Sequence, residues 1–351
     1  MKKITARIVS FVSVVAILAT LVLPAVASPG NPEFMLAIGD SITTGFGLEG
    51  YDETDPYTCN SYTNLIANAL SLNGKDTYIN KSVNGATSAD VLAYLPDIAN
   101  YLGYADLIIV TVGGNDLLQS ISIVASAIAG KTVTGLSASI DVLAAATPDK
   151  FAALANNTSY QKKIGAVLEK YEKNISDMAK IIKDNAPDAH IMFLKQYNPM
   201  KNVLGFGDFG NYADTLIASV NASMEKVCAA NGFDIVDVPS VIDVNAAGLT
   251  NMLNYDIHPN ASGHVEIAKL VASHLGISLD PSENTAEPET EPETTKEETT
   301  IAVELTSPAA PETEPETEAQ LEAPGCFSSI SSAAIVIAAA CACFVLKRKS
   351  F

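Results

Sequence analysis

The sequence predicts an α/β fold: a mostly parallel five-stranded sheet with helices on both of its faces. Two observations predict it, namely five short apolar runs and helical periodicity in the intervals between them. A chain that alternates strands and helices in this way builds a parallel sheet, because each helix carries the chain back to the start of the next strand. The predicted strands are residues 34–38 (ending in Gly-Asp), 77–83, 107–112 (Leu-Ile-Ile-Val-Thr-Val), 190–197 and 233–238.

The helices are predicted from the intervals between these runs. Residues 161–183 carry apolar side chains at helical spacing on a single stripe, and Pro187 follows and ends the helix. The stretch 118–160 is rich in Ala and Ser and predicts an inserted helical excursion over one edge of the sheet. Residues 28–278 are therefore expected to form one domain.

The N-terminus and the C-terminus are predicted to be targeting segments. Residues 1–27 start with two lysines, continue with an apolar run and close on Ala-Val-Ala, the pattern of a secretory signal peptide. Residues 327–346 carry no charge and precede a basic tail, 347–351, which predicts a membrane anchor with the body of the protein outside. Covalent wall attachment is the alternative, although no LPxTG-like pentapeptide precedes the tail.

The segment 279–325 is predicted to be a disordered stalk between the domain and the anchor. It repeats Glu, Pro and Thr, and such a composition has no apolar face to bury. Asp280 and thirteen Glu residues, against Lys296 alone, account for most of the net charge of −19. The acidic balance argues against a nucleic-acid partner, because phosphate recognition needs clustered Lys and Arg.

Two cysteines, Cys59 and Cys228, fall within the predicted domain. Their separation along the chain does not show whether their Cα atoms approach each other, so one disulfide and two free thiols both remain possible.

Small and polar residues stand at three successive predicted strand ends, where sheets of this kind bind ligands. These are Gly-Asp-Ser-Ile at 39–42, Ser-Val-Asn-Gly-Ala at 82–86 and Gly-Gly-Asn-Asp at 113–116. A fourth segment, Tyr-Asp-Ile-His-Pro-Asn at 255–260, follows the last strand. Each alone is compatible with an ordinary turn or helix cap, but their joint appearance in this order predicts a functional site.

In these four blocks the chain resembles the SGNH (GDSL-type) hydrolase family, across most of residues 34–275. The resemblance implies a flavodoxin-like three-layer α/β/α sandwich, the SGNH hydrolase fold, and an esterase or lipase activity. It implies Ser41 as the nucleophile and His258 as its general base. The implied oxyanion hole consists of the main-chain N–H groups of Ser41 and Gly85 and the side-chain amide of Asn115.

Elementary chemistry agrees with these roles. A serine hydroxyl is a poor nucleophile until a base takes its proton, and a position at the start of a helix stabilises developing negative charge. Gly85 lets a main-chain N–H approach the substrate, and Asn115 supplies a neutral, directional donor to an oxyanion. The G-x-S-x-G pattern of common lipases is absent, since Thr43 occupies its last place.

The remaining acidic residues of the blocks are assigned supporting positions. The family's usual Asp lies three residues before the histidine, where this chain has Tyr255, whereas Asp256 lies two before it. Residues i and i+2 of an extended segment share a face, so Asp256 is expected to orient His258, with a main-chain carbonyl as the alternative. Asp40 and Asp116 are expected to lie behind the reacting groups.

The sequence therefore predicts an exported serine esterase, displayed on the surface of a Gram-positive type of bacterium and acting as a monomer. Its substrates are expected to be small acyl esters or acylated glycans, with short acyl groups on carbohydrate favoured over the alternative of lipid or lysophospholipid esters. The insertions 46–60 and 118–160 are expected to decide between them. A non-catalytic adhesion module is the alternative of another class. No cofactor or metal is expected, because no metal-ligand cluster, phosphate loop or dinucleotide motif occurs.

Overall fold

A computed structural model describes residues 32–280, in which five strands form one parallel sheet. The strands are β1 (Met35–Ile38), β2 (Tyr78–Asn80), β3 (Leu107–Thr111), β4 (His190–Leu194) and β5 (Asp234–Val236). Their order in the sheet is β2-β1-β3-β4-β5, and each neighbouring pair is parallel. This is the 2-1-3-4-5 order of flavodoxin-like folds, so the predicted fold class is confirmed.

All five predicted strands are present, and each is shorter than the range predicted for it. Beyond β2, the side chain of Asn80 accepts a hydrogen bond from the N–H of Ser82 at 3.0 Å and turns the chain. Beyond β4, the N–H of Gln196 donates to the side chain of Asn221 at 2.8 Å.

Helices cover both faces of the sheet. One core lies between the sheet and the helices Ser88–Tyr94, Thr158–Asn185 and Gly207–Asn231, and a second lies between the sheet and the helices Tyr62–Ala69, Pro239–Ile242 and Ala261–Leu275. Successive residues of β1 alternate between these cores, as the twofold period of a strand requires. Within residues 32–280 the α-helices are α1 (Ser41–Thr44), α2 (Tyr62–Ala69), α3 (Ser88–Tyr94), α4 (Ala99–Leu102), α5 (Gly114–Ala129), α6 (Leu136–Ala144), α7 (Pro148–Ala153), α8 (Thr158–Asn185), α9 (Gly207–Asn231), α10 (Pro239–Ile242), α11 (Ala246–Leu249) and α12 (Ala261–Leu275).

The predicted excursion is helical and has a small core of its own. The end of α5, together with α6, α7 and the start of α8, packs around Val124, Leu143, Phe151 and Tyr160. The helix predicted over 161–183 is α8, which starts earlier because the side chain of Asn157 caps it.

The two cysteines of the domain are buried free thiols. Cys59 lies against the main-chain oxygens of Thr44 and Gly45, whereas Cys228 lies on α9 in the core that this helix forms with the sheet. The disulfide alternative is therefore not realised.

The predicted signal peptide (1–27), the anchor (327–346) and the basic tail (347–351) lie outside the described residues. So does all of the predicted stalk (279–325) except its first two residues. Of the helices formed by residues 32–280, none combines the length and apolar character that crossing a membrane requires.

Candidate active site

Ser41 stands at the carboxyl end of β1, where the chain makes a tight turn into α1. Gly39 approaches β3 so closely that a Cβ atom there would lie 2.2 Å from the main-chain oxygen of Thr111, so glycine is required. The helix that follows has only four residues. The stabilisation of negative charge that the sequence predicted for a helix N-terminus at Ser41 is therefore limited to the N–H groups of a single turn.

Asp40 lies behind Ser41 and anchors the turn to the sheet. Its buried carboxylate accepts hydrogen bonds from the N–H of Ile42 at 3.1 Å and from the hydroxyl of Thr111 at 3.0 Å. Hydroxyl contacts of 2.7 Å continue from Thr111 to Thr43 and from Thr43 to Tyr62. Burial raises the pKa of the Asp40 carboxyl above its usual value.

The structure brings His258 and Asp256 to Ser41. Nε2 of His258 lies 2.8 Å from the hydroxyl of Ser41, and Nδ1 lies 2.5 Å from a carboxylate oxygen of Asp256. The same carboxylate oxygen accepts the main-chain N–H of His258 at 3.1 Å. A carboxylate in this arrangement fixes the tautomer of the imidazole and leaves Nε2 free to accept the serine proton.

The loop that carries both residues has a defined shape. Tyr255 adopts a left-handed conformation with φ of +62°, and the N–H of Asn251 donates to the oxygen of His258 at 2.9 Å, closing the loop on itself. The hydroxyl of Tyr197 donates to the main-chain oxygen of Ile257 at 2.8 Å. These contacts hold Asp256 and His258 on the same side of the segment.

The electrostatics keep the Asp256 carboxyl ionised. Partial burial alone would raise its pKa, but the hydrogen bond from His258, the positive charge of the protonated ring and the main-chain N–H outweigh burial, so the pKa lies below its usual value. Asp256 is therefore an anion when His258 gains a proton.

The three expected oxyanion donors belong to the ends of β1, β2 and β3. Gly85 has a left-handed φ of +75°, and the side-chain amide of Asn115 donates one N–H to the main-chain oxygen of Ala86 at 3.0 Å. The amide has a second N–H for a ligand. Within residues 32–280, the main-chain N–H groups of Ser41 and Gly85 have no hydrogen-bond acceptor.

Asp116 follows Asn115 in the first turn of α5. Its carboxylate accepts the N–H of Ser88 at 2.8 Å and the Ser88 hydroxyl at 2.5 Å, which joins the start of α5 to the start of α3. Burial raises the pKa of this carboxyl.

An apolar cavity of about 130 Å³ opens at Ser41 and His258. Its walls come from α5 and α9, with Pro199 and Met200 from the loop after β4. Of the two expected insertions, 118–160 contributes only its first residues and 46–60 contributes none of the lining. The sequence did not indicate the part played by α9, because its apolar residues have the same spacing as a core stripe. The apolar lining of the two helices comprises Leu117, Leu118, Ile121, Val124, Phe209, Ala213, Leu216 and Ile217.

Asn198 joins two walls of this cavity. Its fully buried side chain donates to the main-chain oxygen of Gly210 at 2.8 Å and to the carboxylate of Asp214 at 2.7 Å, both on α9. Its main-chain N–H donates to the carboxylate of Asp243 at 2.9 Å.

Asp243 makes stability depend on pH. Burial raises the pKa of this carboxyl from 3.8 to about 6, so the folded state binds the proton more tightly than the unfolded state. The free energy of unfolding therefore falls as the pH rises from about 4 to about 6. We expect Asp243→Asn to raise the melting temperature at about pH 7.5 and to leave it unchanged at about pH 3, where both states are largely protonated. Asp141→Asn, an exposed control on α6, is expected to change neither value, and an Asp243→Asn variant with no pH-dependent gain in thermal unfolding would contradict the assignment.

His264 has a structural position. It is fully buried, its Nδ1 accepts the main-chain N–H of Tyr62 at 3.1 Å, and its ring stacks on the Tyr62 ring. Burial lowers its pKa to about 3, so it stays neutral. Across residues 32–280, no group of three or more His, Cys, Asp or Glu side chains is placed to hold a metal ion.

Comparison with known proteins gives a family match and a set of similar solved structures. Residues 37–265 match the model of the GDSL-like lipase/acylhydrolase family. The chain is similar in structure to phospholipase A1 from Streptomyces albidoflavus NA297, with 17% identity over 69% of this chain and 98% of that chain and a TM-score of 0.48. It is also similar to the lipase Lip_vut3 from a goat rumen metagenome, with 20% identity over 68% of this chain and 95% of that chain and a TM-score of 0.46. A third similar structure is the acetylxylan esterase Axe2 from Geobacillus stearothermophilus, with 16% identity over 70% of this chain and 95% of that chain and a TM-score of 0.45. No curated protein matches the chain.

The matched range covers well over half of the sequence and includes all four blocks, from the turn that carries Ser41 to the segment that carries His258. The chain therefore belongs to the GDSL-like lipase/acylhydrolase family, and it is a carboxylic ester hydrolase.

Proposed function

We propose that this hydrolase cleaves esters of medium-chain carboxylic acids. The observation that carries the proposal is the apolar cavity that opens beside the Ser41 hydroxyl. In this proposal Ser41 is the nucleophile, His258 the general base and acid, and Asp256 the group that orients His258.

The reaction follows from the geometry. His258 Nε2, 2.8 Å from the Ser41 hydroxyl, takes its proton as the serine oxygen attacks the ester carbonyl. The tetrahedral oxyanion accepts hydrogen bonds from the N–H groups of Ser41 and Gly85 and from the amide of Asn115. Collapse breaks the bond to the alcohol, which leaves with the proton from His258, and the acyl group stays on Ser41. Water then attacks the acyl-enzyme by the same steps and releases the acid.

The size of the cavity indicates the length of the acyl chain. A cavity of about 130 Å³ is close to the roughly 150 Å³ apolar cavity that holds a benzene molecule, so it suits about six carbon atoms. Each methylene that enters contributes about 0.8 kcal/mol, or roughly fourfold in affinity. An acetyl group would leave most of the apolar wall in contact with water.

The cavity supports the lipid-type esters that the sequence left as the alternative. The short acyl groups on carbohydrate that the sequence favoured stay a prediction without structural support. We further propose that the enzyme acts outside the cell, as a monomer on a membrane anchor. The residue patterns of 1–27 and 327–351 support the export and the anchor.

A series of p-nitrophenyl esters tests the chain length. We expect kcat/KM to rise about fourfold per methylene from acetate to about the hexanoate and then to level off. Ala213→Phe is expected to fill the cavity and lower kcat/KM for the hexanoate at least about tenfold while leaving the acetate unchanged. Ala218→Phe, on the exposed side of the same helix, is the matched control and is expected to change neither rate.

Two outcomes would contradict the proposed chain length. The first is an acetate ester that reacts fastest and a rate that Ala213→Phe does not alter, which would favour the carbohydrate prediction if an acetylated xylo-oligosaccharide reacts faster still. The second is a rate that keeps rising well beyond about eight carbons, since a cavity of about 130 Å³ has no room for such a chain.

A further inference from the structure

Asn84, the residue before Gly85, is held by hydrogen bonds at both ends of its side-chain amide. Its oxygen accepts the hydroxyl of Thr44 at 2.7 Å, and its nitrogen donates to the hydroxyl of Tyr51 at 2.5 Å. The Thr44 hydroxyl also lies 3.0 Å from the main-chain oxygen of Ser41. The side chain of Asn84 therefore connects the turn that carries the nucleophile with the loop 46–60.

The position of Asn84 determines where the Gly85 N–H points, because that N–H belongs to the peptide unit joining the two residues. On the other side, the main-chain oxygen of Ala86 accepts the Asn115 amide at 3.0 Å. The turn is closed by the N–H of Ala86, which donates to the oxygen of Val83 at 3.1 Å. Gly85 thus lies between two tethered residues, and its own left-handed φ of +75° has no side chain to stabilise it.

Tyr51 contacts the site by a second route. Its ring packs edge-on against Phe46 with centroids 5.4 Å apart, and Phe46 packs against the imidazole of His258 with centroids 4.9 Å apart. Tyr51 therefore contacts both Asn84, which precedes an oxyanion donor, and Phe46, whose ring packs against the general base. Partial burial raises the pKa of Tyr51, so its hydroxyl stays protonated at neutral pH.

We propose that Tyr51 is a positioning residue of this hydrolase: its hydroxyl holds Asn84 so that the Gly85 N–H points at the oxyanion. The inference rests on the proposed function, since it needs Gly85 to be an oxyanion donor. Such donors act only within about 2.7–3.1 Å of the oxyanion, and a displacement of about 1 Å can cost about 10²-fold in rate. Because the Tyr51 hydroxyl acts on Gly85 only through Asn84, it is expected to contribute part of this rate factor of about 10².

Tyr51→Phe tests the proposal in the full-length protein. The variant keeps the ring contact with Phe46 and removes only the acceptor of the Asn84 amide. We expect kcat for p-nitrophenyl hexanoate to fall about tenfold with KM changed less than about twofold, since the oxyanion forms only in the transition state. Tyr57→Phe is the matched control, because the Tyr57 hydroxyl in the same loop accepts the N–H of Asn80 at 3.0 Å, away from Gly85, and kcat is expected to stay unchanged.

An inhibitor pair separates positioning from a loss of structure. A hexyl trifluoromethyl ketone, which forms an oxyanion on Ser41, is expected to bind Tyr51→Phe about tenfold more weakly, while hexan-1-ol, which has an alkyl chain for the cavity but forms no oxyanion, binds equally well. Asn84→Ala is expected to have the same effect, and the double variant is expected to be no worse than either single one.

Three results would overturn the proposal. They are an unchanged kcat in Tyr51→Phe, an equal loss in Tyr57→Phe, or equal weakening of both inhibitors. In each case the wild-type enzyme still hydrolyses the ester and the proposed function stands. A wild-type protein that cleaves none of the esters would instead overturn the proposed function and this inference with it.

Discussion

Ser41→Ala is expected to lower kcat by at least about 10⁴-fold without destabilising the protein, because the substitution removes the attacking atom and little else. The Ser41 hydroxyl has Nε2 of His258 as its partner, and the cap of α1 is supplied by Asp40. The oxyanion donors and the acyl cavity remain in the variant, so KM is expected to change little. Steady-state kinetics on p-nitrophenyl hexanoate and thermal unfolding measure the two effects separately.

A second serine provides the opposite control. Ser61 is a buried N-cap whose hydroxyl accepts the N–H of Asn64 at 3.3 Å, so Ser61→Ala is expected to cost about 0.5–2 kcal/mol of stability. The kcat of the Ser61→Ala variant is expected to stay close to that of the wild type.

Labelling of the Ser41 hydroxyl gives an independent measurement. A fluorophosphonate is expected to modify Ser41 in the wild type and to leave Ser41→Ala unlabelled. A Ser41→Ala variant that kept more than about 1% of kcat would exclude Ser41 as the nucleophile, since a missing nucleophile leaves far less.

The order of strands and helices was predictable, because it follows from local apolar patterns. The convergence of the four blocks was predictable because the strands that precede them were expected to be parallel. Strands of a sheet covered on both faces are continuous apolar runs, and parallel strands bring their carboxyl ends to one edge. β2 nevertheless ends at Asn80, short of the predicted limit at residue 83, although main-chain hydrogen bonds from Lys81 and Val83 to the segment 37–39 continue. The residue at which a strand ends therefore depends on its contacts with the rest of the fold, which the apolar run alone does not show.

The acyl cavity and the tether of Asn84 were not predictable. Leu216 and Ile217 have the spacing of core residues, and only the packing of α9 against α5 shows that they face a cavity. Tyr51 lies in an irregular loop without periodicity, so nothing in the sequence joins it to Asn84. The same limitation applied to the two cysteines, whose distance in space does not follow from their separation along the chain.

Asp256→Asn is expected to lower kcat roughly 10³–10⁴-fold, as loss of the aspartate does in other serine hydrolases. In the wild type, one carboxylate oxygen accepts both N–H groups of His258, at 2.5 Å and 3.1 Å. An amide that turns its NH₂ towards Nδ1 forces the ring proton onto Nε2, where it blocks proton transfer from Ser41. An amide in the other orientation still carries no charge to stabilise the imidazolium.

The expected loss of kcat in Asp256→Asn has a second cause besides the altered hydrogen bond, namely the loss of a negative charge. Its lowered pKa keeps the carboxylate ionised at neutral pH, so Asp256→Asn removes an anion as well as an acceptor. Asp243→Asn, which replaces a carboxyl away from the imidazole, is the control and is expected to retain the wild-type kcat. Should Asp256→Asn turn over the hexanoate ester as fast as the wild type while Ser41→Ala is inactive, Ser41 and His258 would act as a dyad, and the short contact between Asp256 and His258 would have no part in the reaction.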